Sequence, residues 1–322
     1  MPINHLVKFV FLLVLIFSSW AQAAPSFNQI YVFGDSLSDT GNLASIVGDL
    51  PAPYYMNRIS NGPIAVETLA AKLGLSAEAS LHLVGPEMGS NYAVARANAY
   101  GNDIFDLNTQ LISFQTNHGF MAPADALYVM FIGGNDVRDA LYVADFTVAK
   151  LQVKAAAAEV QHAIESLAQA GAQSFLLVNS PNIAVIPETR LMASYTDDPR
   201  LTHRAHKLSK LYRTLIHEIT RKLDHDNNIN ISEFDLFKFF NKLVKKADRY
   251  GFSNSTDACF SPSAYPETLF HPDCNYGMSF DQFIFFDEIH PTARVHELVG
   301  EALYKTLKKH EYDDCDCVRV RI

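Results

Sequence analysis

Gln29-Ile30-Tyr31-Val32-Phe33 running straight into Gly34-Asp35-Ser36 is the stretch that decides the fold. Apolar residues, β-branched or aromatic, stop at a glycine and two small polar residues, the pattern of a buried strand ending in a turn. The pattern recurs twice. Residues 127–132 run into Gly133-Gly134-Asn135-Asp136, and residues 175–178 into Asn179-Ser180-Pro181.

Helical periodicity lies between and beyond these runs. Over residues 148–170, Val153, Ala157, Val160, Ile164 and Leu167 recur on one face, and Gly171 stands where a helix would stop. Leu201, Ala205, Leu208, Leu215 and Ile219 mark a second amphipathic helix. Strands alternating with helices predict an α/β fold: a three-layer α/β/α sandwich on a central parallel sheet, flavodoxin-like in plan. Such sheets bind ligands at the carboxyl ends of their strands, so the three polar loops are expected to be neighbours.

The N-terminus is read separately. Lys8, an apolar run over residues 9–17 and Ala21-Gln22-Ala23 have the layout of a secretory signal cleaved after Ala23, so residues 1–23 are set apart and the mature chain is expected to be exported, secreted or periplasmic. An uncleaved anchor would need an apolar run about twice as long. Losing Lys8 takes the net charge from −9 to −10, which argues against a polyanion-binding role and so against nucleic acid. With 48% hydrophobic and 19% charged residues and no internal repeat, residues 24–322 read as one domain, with a tail from about residue 309.

Four cysteines, Cys259, Cys274, Cys315 and Cys317, in an exported chain favour disulfides over metal ligation. Three pairings are open, and the sequence does not choose among them. Cys259 with Cys274 would close a compact loop, stabilising by roughly 3 kcal/mol in the chain-entropy model. No metal or cofactor site is expected, and His203, His206 and His217 read as solvated or boundary residues of a helix.

Serine is a weak nucleophile that needs an adjacent imidazole to take its proton. Ser36 lies in a sharp turn, and Asp287-Glu288-Ile289-His290-Pro291-Thr292 sets a carboxylate three residues before a histidine. Phe33 through Asn42 resembles the first block of the GDSL, or SGNH, hydrolases. Gly89-Ser90-Asn91-Tyr92-Ala93 resembles the block that supplies the family's glycine, Gly133 through Asp136 the asparagine block, and Asp287 through Pro291 the aspartate and histidine block. Residues 58–63 and 250–254 also look like family segments. One departure stands out: Val94-Ala95-Arg96-Ala97 occupies the place of a glycine pair common in relatives.

The resemblance implies an SGNH-hydrolase fold with Ser36 as nucleophile, His290 as base and then acid, and Asp287 orienting it. It implies an oxyanion hole made by the Ser36 and Gly89 amides and the Asn135 side chain; Asp136, next to Asn135, reads as support for that loop and not as part of the chemistry. The secretory layout, the Ser60-Asn61-Gly62 segment and the cysteine loop make the chain most similar to the bacterial branch of secreted phospholipases A, PlaA-type lysophospholipases A and glycerophospholipid:cholesterol acyltransferases. The expected partner is a lysophospholipid or phospholipid met at a membrane or micelle surface, with acyl transfer as a side activity and no obligatory protein partner. The aromatic stretches 234–240 and 276–286 are expected mainly to pack under the sheet and in part to line an acyl groove, with loop 259–274 as a lid. The rival readings are a short-chain or carbohydrate esterase on the same scaffold, and a non-catalytic binding protein.

Overall fold

The computed structural model describes residues 27–226, 229–262, 269–274 and 280–319, and of residues 226, 269 and 310–319 the backbone only. The signal-like segment therefore lies outside the described residues, as do the side chains of Cys315 and Cys317.

Four strands, β1 (Gln29–Gly34), β2 (Ala126–Phe131), β3 (Ser174–Val178) and β4 (Asn230–Phe234), form one parallel sheet in that order. Beyond β1 the chain adds a rudimentary fifth strand. Asn91 bridges Val32 in parallel, the Tyr92 amide donates to the Val32 carbonyl, and the Val94 amide donates to that of Gly34. The spatial order thus starts at 90–94, passes through β1 and turns back across β2 to β4, so the order reverses beside β1. β4 was not foreseen; its alternating Asn230-Ile231-Ser232-Glu233-Phe234 is the pattern of an edge strand, with Ile231 buried and Asn230 exposed.

Helices cover both faces. The chain forms α1 (Ala44–Val47), α2 (Ala65–Leu73), α3 (Leu107–Asn117), α4 (Gly134–Leu141), α5 (Phe146–Gln169), α6 (Pro187–Tyr195), α7 (Arg200–Asp226), α8 (Leu236–Lys245) and α9 (Ala293–Arg319). Side chains alternate across a strand. On one face, Phe114 of α3 meets Tyr31 edge-on at 4.8 Å, Tyr31 stacks on Tyr128 at 5.4 Å, and Tyr128 meets Phe175 at 5.5 Å. Phe131, of opposite parity, instead shares a cavity wall with Val295 and Val299 of α9. The result is the three-layer α/β/α arrangement.

Local chemistry sets the helix ends. Asp145 caps α5 by accepting from the Thr147 and Val148 amides, and Gly171 at φ +117° turns the chain after it. The buried face of α7 runs through Ala205, Leu208, Tyr212, Ile216 and Leu223, with Leu215 only half-buried. His203, His206 and His217 are exposed.

A smaller lobe carries β5 (Asn254–Ala258) paired with β8 (Phe283–Phe285), and the short β6 (Phe260–Ser261) paired with β7 (Leu269–Phe270). Cys259 and Cys274 form a disulfide with a Cα–Cα distance of 5.4 Å. Among the described residues no helix is long and apolar enough to cross a membrane.

Phe114 ties four aromatic rings of the sheet and its flank together. Phe114→Ala should lower stability by about 3–5 kcal/mol in urea denaturation; a loss below about 1 kcal/mol would mean the aromatic layer contributes little.

Candidate active site

Asp35 and Ser36 follow the last residue of β1. The Ser38 and Asp39 amides both fold back to the Asp35 carbonyl at 3.0 Å, and the Leu37 amide donates to the Asp35 carboxylate. The turn leaves the Ser36 amide with no internal acceptor among the described residues. Gly34 must lack a side chain here, because a Cβ would come within 2.6 Å of the Phe131 carbonyl on β2.

Ser36 Oγ donates to His290 Nε2 at 2.8 Å, and His290 Nδ1 donates to both Asp287 oxygens at 2.9 Å. The same carboxylate accepts the Ile289 and His290 amides at 2.8 and 2.7 Å, so the chain between the two side chains is wound around it. This fixes the imidazole tautomer with Nε2 free to accept the serine proton. Burial lowers the pKa of His290, but the charge and hydrogen bond of Asp287 outweigh it, and the net shift is upward from 6.5.

Distant residues hold this turn. Ser60 Oγ donates to the Pro291 carbonyl at 2.9 Å, and the Asn61 side chain accepts the Ala293 amide at the start of α9 at 2.9 Å. Gly62 packs where a Cβ would strike that of Ala293 at 2.7 Å. The Ser60-Asn61-Gly62 segment is therefore a cradle for the histidine turn. On the other side, the Glu188 amide donates to the Glu288 carbonyl, and Ser261 hydrogen-bonds the Glu288 carboxylate.

Asn135 is the second residue of α4. Gly133 ahead of it sits at φ +109°, where any Cβ would also meet the Tyr212 ring at 2.1 Å. The Asn135 amide spends one N–H on the Ala97 carbonyl at 2.9 Å and keeps a second. Asp136, expected to support the loop it shares with Asn135, instead holds a different one: it accepts the Ala99 and Tyr100 amides at 2.8 and 2.9 Å. Burial raises the pKa of both Asp35 and Asp136.

Gly89 is not at this site. It lies beside Asn28, Gln29 and Ile30, level with the start of β1, at the end of the sheet opposite Ser36. A Cβ there would approach the Glu78 carbonyl to 2.3 Å, so this glycine serves backbone packing. The segment that reaches the site is 95–97, joined to Asn135 through Ala97. Arg96 within it is left-handed, at φ 78°, and its amide has no internal acceptor among the described residues. The missing glycine pair of the sequence was the available signal for this position.

Other residues of the site had no sequence signal of their own. Asp39 accepts four amides, from Gly41, Asn42, Leu43 and Ala95, joining the Ser36 turn to the 95–97 segment. Arg138 forms a bidentate pair with Glu188 at 2.5 Å on each arm. An apolar cavity of ≈ 50 Å³ opens beside Ser36, Asn135 and His290, walled by Phe131, Ile183, Ile186, Leu236, Phe240 and Val299. Part of the 234–240 stretch thus lines it, whereas no described residue of the 259–274 hairpin does.

A parallel α/β/α sheet with a serine–histidine–aspartate relay at its carboxyl edge defines a site of the serine-hydrolase type. The chain belongs to the GDSL-like lipase/acylhydrolase family, whose profile matches residues 30–303. It is similar to a phosphatidylcholine-sterol acyltransferase of Aeromonas hydrophila, at 27% identity over 76% of this chain and 68% of that one. It is also similar to a thermolabile hemolysin of Vibrio parahaemolyticus, at 24% over 89% and 65%, and to Lipase 1 of Photorhabdus luminescens, at 23% over 86% and 50%. The chain thus spans between half and about two thirds of these relatives' lengths. Among solved structures it is similar to an acetylxylan esterase of Geobacillus stearothermophilus, at 12% identity over 88% of this chain and 95% of that one, with a TM-score of 0.44.

The relay makes a pH prediction. A general base must be neutral, so with its pKa raised, His290 gives ester hydrolysis an acid limb in kcat/KM with a midpoint above 6.5. Asp287→Asn removes the charge that raises it. The midpoint should move to lower pH and the rate should fall on the order of 10⁴-fold; an unmoved midpoint in the pH profile would contradict the assignment.

Proposed function

We propose that the chain is an exported lysophospholipase or phospholipase A that releases fatty acid through an acyl-enzyme on Ser36. The observation that carries this reading is the Ser36–His290–Asp287 relay opening onto an apolar cavity. Ser36 Oγ attacks the acyl carbonyl as His290 takes its proton. The carbonyl oxygen turns into an oxyanion held by the Ser36 amide, the free N–H of Asn135 and, in place of Gly89, the Arg96 amide. Each such donor stabilises the transition state by roughly 3 kcal/mol. His290 then protonates the departing alcohol, and water activated by the same imidazole cleaves the acyl-enzyme. Acyl transfer to a sterol is the same second step with another alcohol, as in the Aeromonas relative's name.

Exposed apolar side chains on the elements around the cavity support a lipid substrate. Tyr100 belongs to the loop held by Asp136, Tyr142 ends α4, and Leu191 and Tyr195 stand on α6, whose Glu188 holds Arg138 in the cavity wall. Tyr195 is 87% exposed. Such a rim suits contact with a membrane or micelle surface. The acidic net charge favours a zwitterionic surface over an anionic one.

Ser36→Ala should abolish fatty-acid release from lysophosphatidylcholine and labelling by a fluorophosphonate, with the melting temperature preserved. A wild-type preference for short acyl esters over lysophospholipid and diacyl lipid in a substrate panel would overturn the lipid reading in favour of a short-chain esterase. Leu191→Ser with Tyr195→Ser should reduce turnover of zwitterionic micelles several-fold while leaving a soluble short ester unaffected; equal loss on both substrates would dismiss the rim as a lipid contact.

A further inference from the structure

Arg138 is the one lysine or arginine that lines the cavity beside Ser36 among the described residues. It stands one turn beyond Asn135 on α4, and residues so spaced share a helix face with Cβ atoms about 5–6 Å apart. Its Nε and Nη2 are both taken up by Glu188, whose amide in turn donates to the Glu288 carbonyl at 2.9 Å, next to Asp287. The guanidinium is thereby fixed relative to the relay. Its charge is felt there: together with burial it lowers the pKa of His290, against the larger opposing effect of Asp287. Nη1 is left over. Neither of its N–H groups has a partner among the described residues, and the atom is accessible, on a side chain 30% exposed.

A guanidinium held along one edge by a carboxylate offers its remaining donors to a second oxyanion. Its position selects which one. The hydrocarbon walls of Phe131, Ile183, Leu236 and Phe240 suit an acyl chain and exclude a charge, so an anion that meets Arg138 belongs to the departing alcohol. In a glycerophospholipid that anion is the phosphate, one glycerol away from the ester. Glu188 sets how much charge is tolerated. The pair is neutral overall, which suits the single charge of a phosphodiester, and the Glu188 carboxylate repels the nearly double charge of a phosphomonoester.

We infer that Arg138 determines head-group specificity: its Nη1 donates to the phosphodiester of the leaving glycerophospho-alcohol, while Glu188 discriminates against a terminal phosphate. The inference rests on the acyl-hydrolase reading of Ser36 and names a class of head group for it. No bond at phosphorus changes; the phosphate contact only places the scissile ester at Ser36 and Asn135. An ester without the phosphate lacks that contact and reacts more slowly.

The test assays the purified full chain on three octanoyl esters kept below their critical micelle concentrations, so that surface binding plays no part: lysophosphatidylcholine, lysophosphatidic acid and monoacylglycerol. The pH is set at roughly 8, where the phosphomonoester is doubly charged. The wild type should favour lysophosphatidylcholine over monoacylglycerol roughly tenfold in kcat/KM, the effect of a hydrogen bond between charged groups, and over lysophosphatidic acid at least threefold. Arg138→Gln should bring the first ratio to within twofold of one. Each ratio is taken within one protein, so a variant that is only less stable does not move it. Glu188→Gln, which keeps a carbonyl for Arg138 but uncovers its charge, should raise lysophosphatidic acid relative to lysophosphatidylcholine at least threefold. A wild-type first ratio near one, a preference that survives Arg138→Gln, or unchanged discrimination in Glu188→Gln overturns the inference. If the Arg138 variant does not fold, the wild-type and Glu188→Gln ratios decide. Equal turnover of all three esters sinks this inference alone, whereas absence of turnover on every ester sinks the reading beneath it as well.

Discussion

Four backbone N–H groups converge on the buried carboxylate of Asp39, three from the turn just after Ser36 and one from Ala95. Burial penalises the charge and holds the carboxyl above its usual range, and the four amides offset only part of that penalty. The carboxylate thereby locks the nucleophile turn to the segment carrying Arg96. Asn42 and Asn91 repeat the device with neutral groups: Asn42 donates to the Asn91 and Ala93 carbonyls, and Asn91 donates to that of Ser38. The serine is thus rigid because polar side chains satisfy a loop backbone that lacks strand or helix partners.

The same logic organises the rest of the site. Asp287 winds the 287–290 turn around itself, and Asp136 holds the 99–100 loop to α4. Each buried carboxylate fixes a turn at the end of a strand or next to one, and the sheet brings the turns together. Aromatic packing of Tyr31, Phe114 and Tyr128 sets the positions of those strand ends. Hydrophobic layers decide where the loops lie, and carboxylates decide their shape.

Much of this was legible in the sequence, because strand-to-turn boundaries are local and the relay residues are chemically distinctive. β1, β2, β3 and α5 announce themselves through continuous apolar runs or a helical period bounded by turn residues. β4 did not, since its alternation is that of an edge strand between longer helices. Gly89 was misread because a glycine required by backbone contact with Glu78 looks, in sequence, like one required to admit a substrate. Arg96 was hidden for the converse reason, as a long side chain disguises a left-handed backbone. The link that Asp39 makes to the 95–97 segment runs through Ala95, 56 residues away, and that half of its role has no local signature.

The cradle that Ser60 and Asn61 make for the turn at 291–293 spans 231 and 232 residues of chain. During synthesis the nucleophile emerges 254 residues ahead of its base, and the base is seated only when these distant segments meet. A partly made chain therefore holds an unactivated serine. A hydrolase site assembled this way is complete only once segments far apart in the chain have folded against each other.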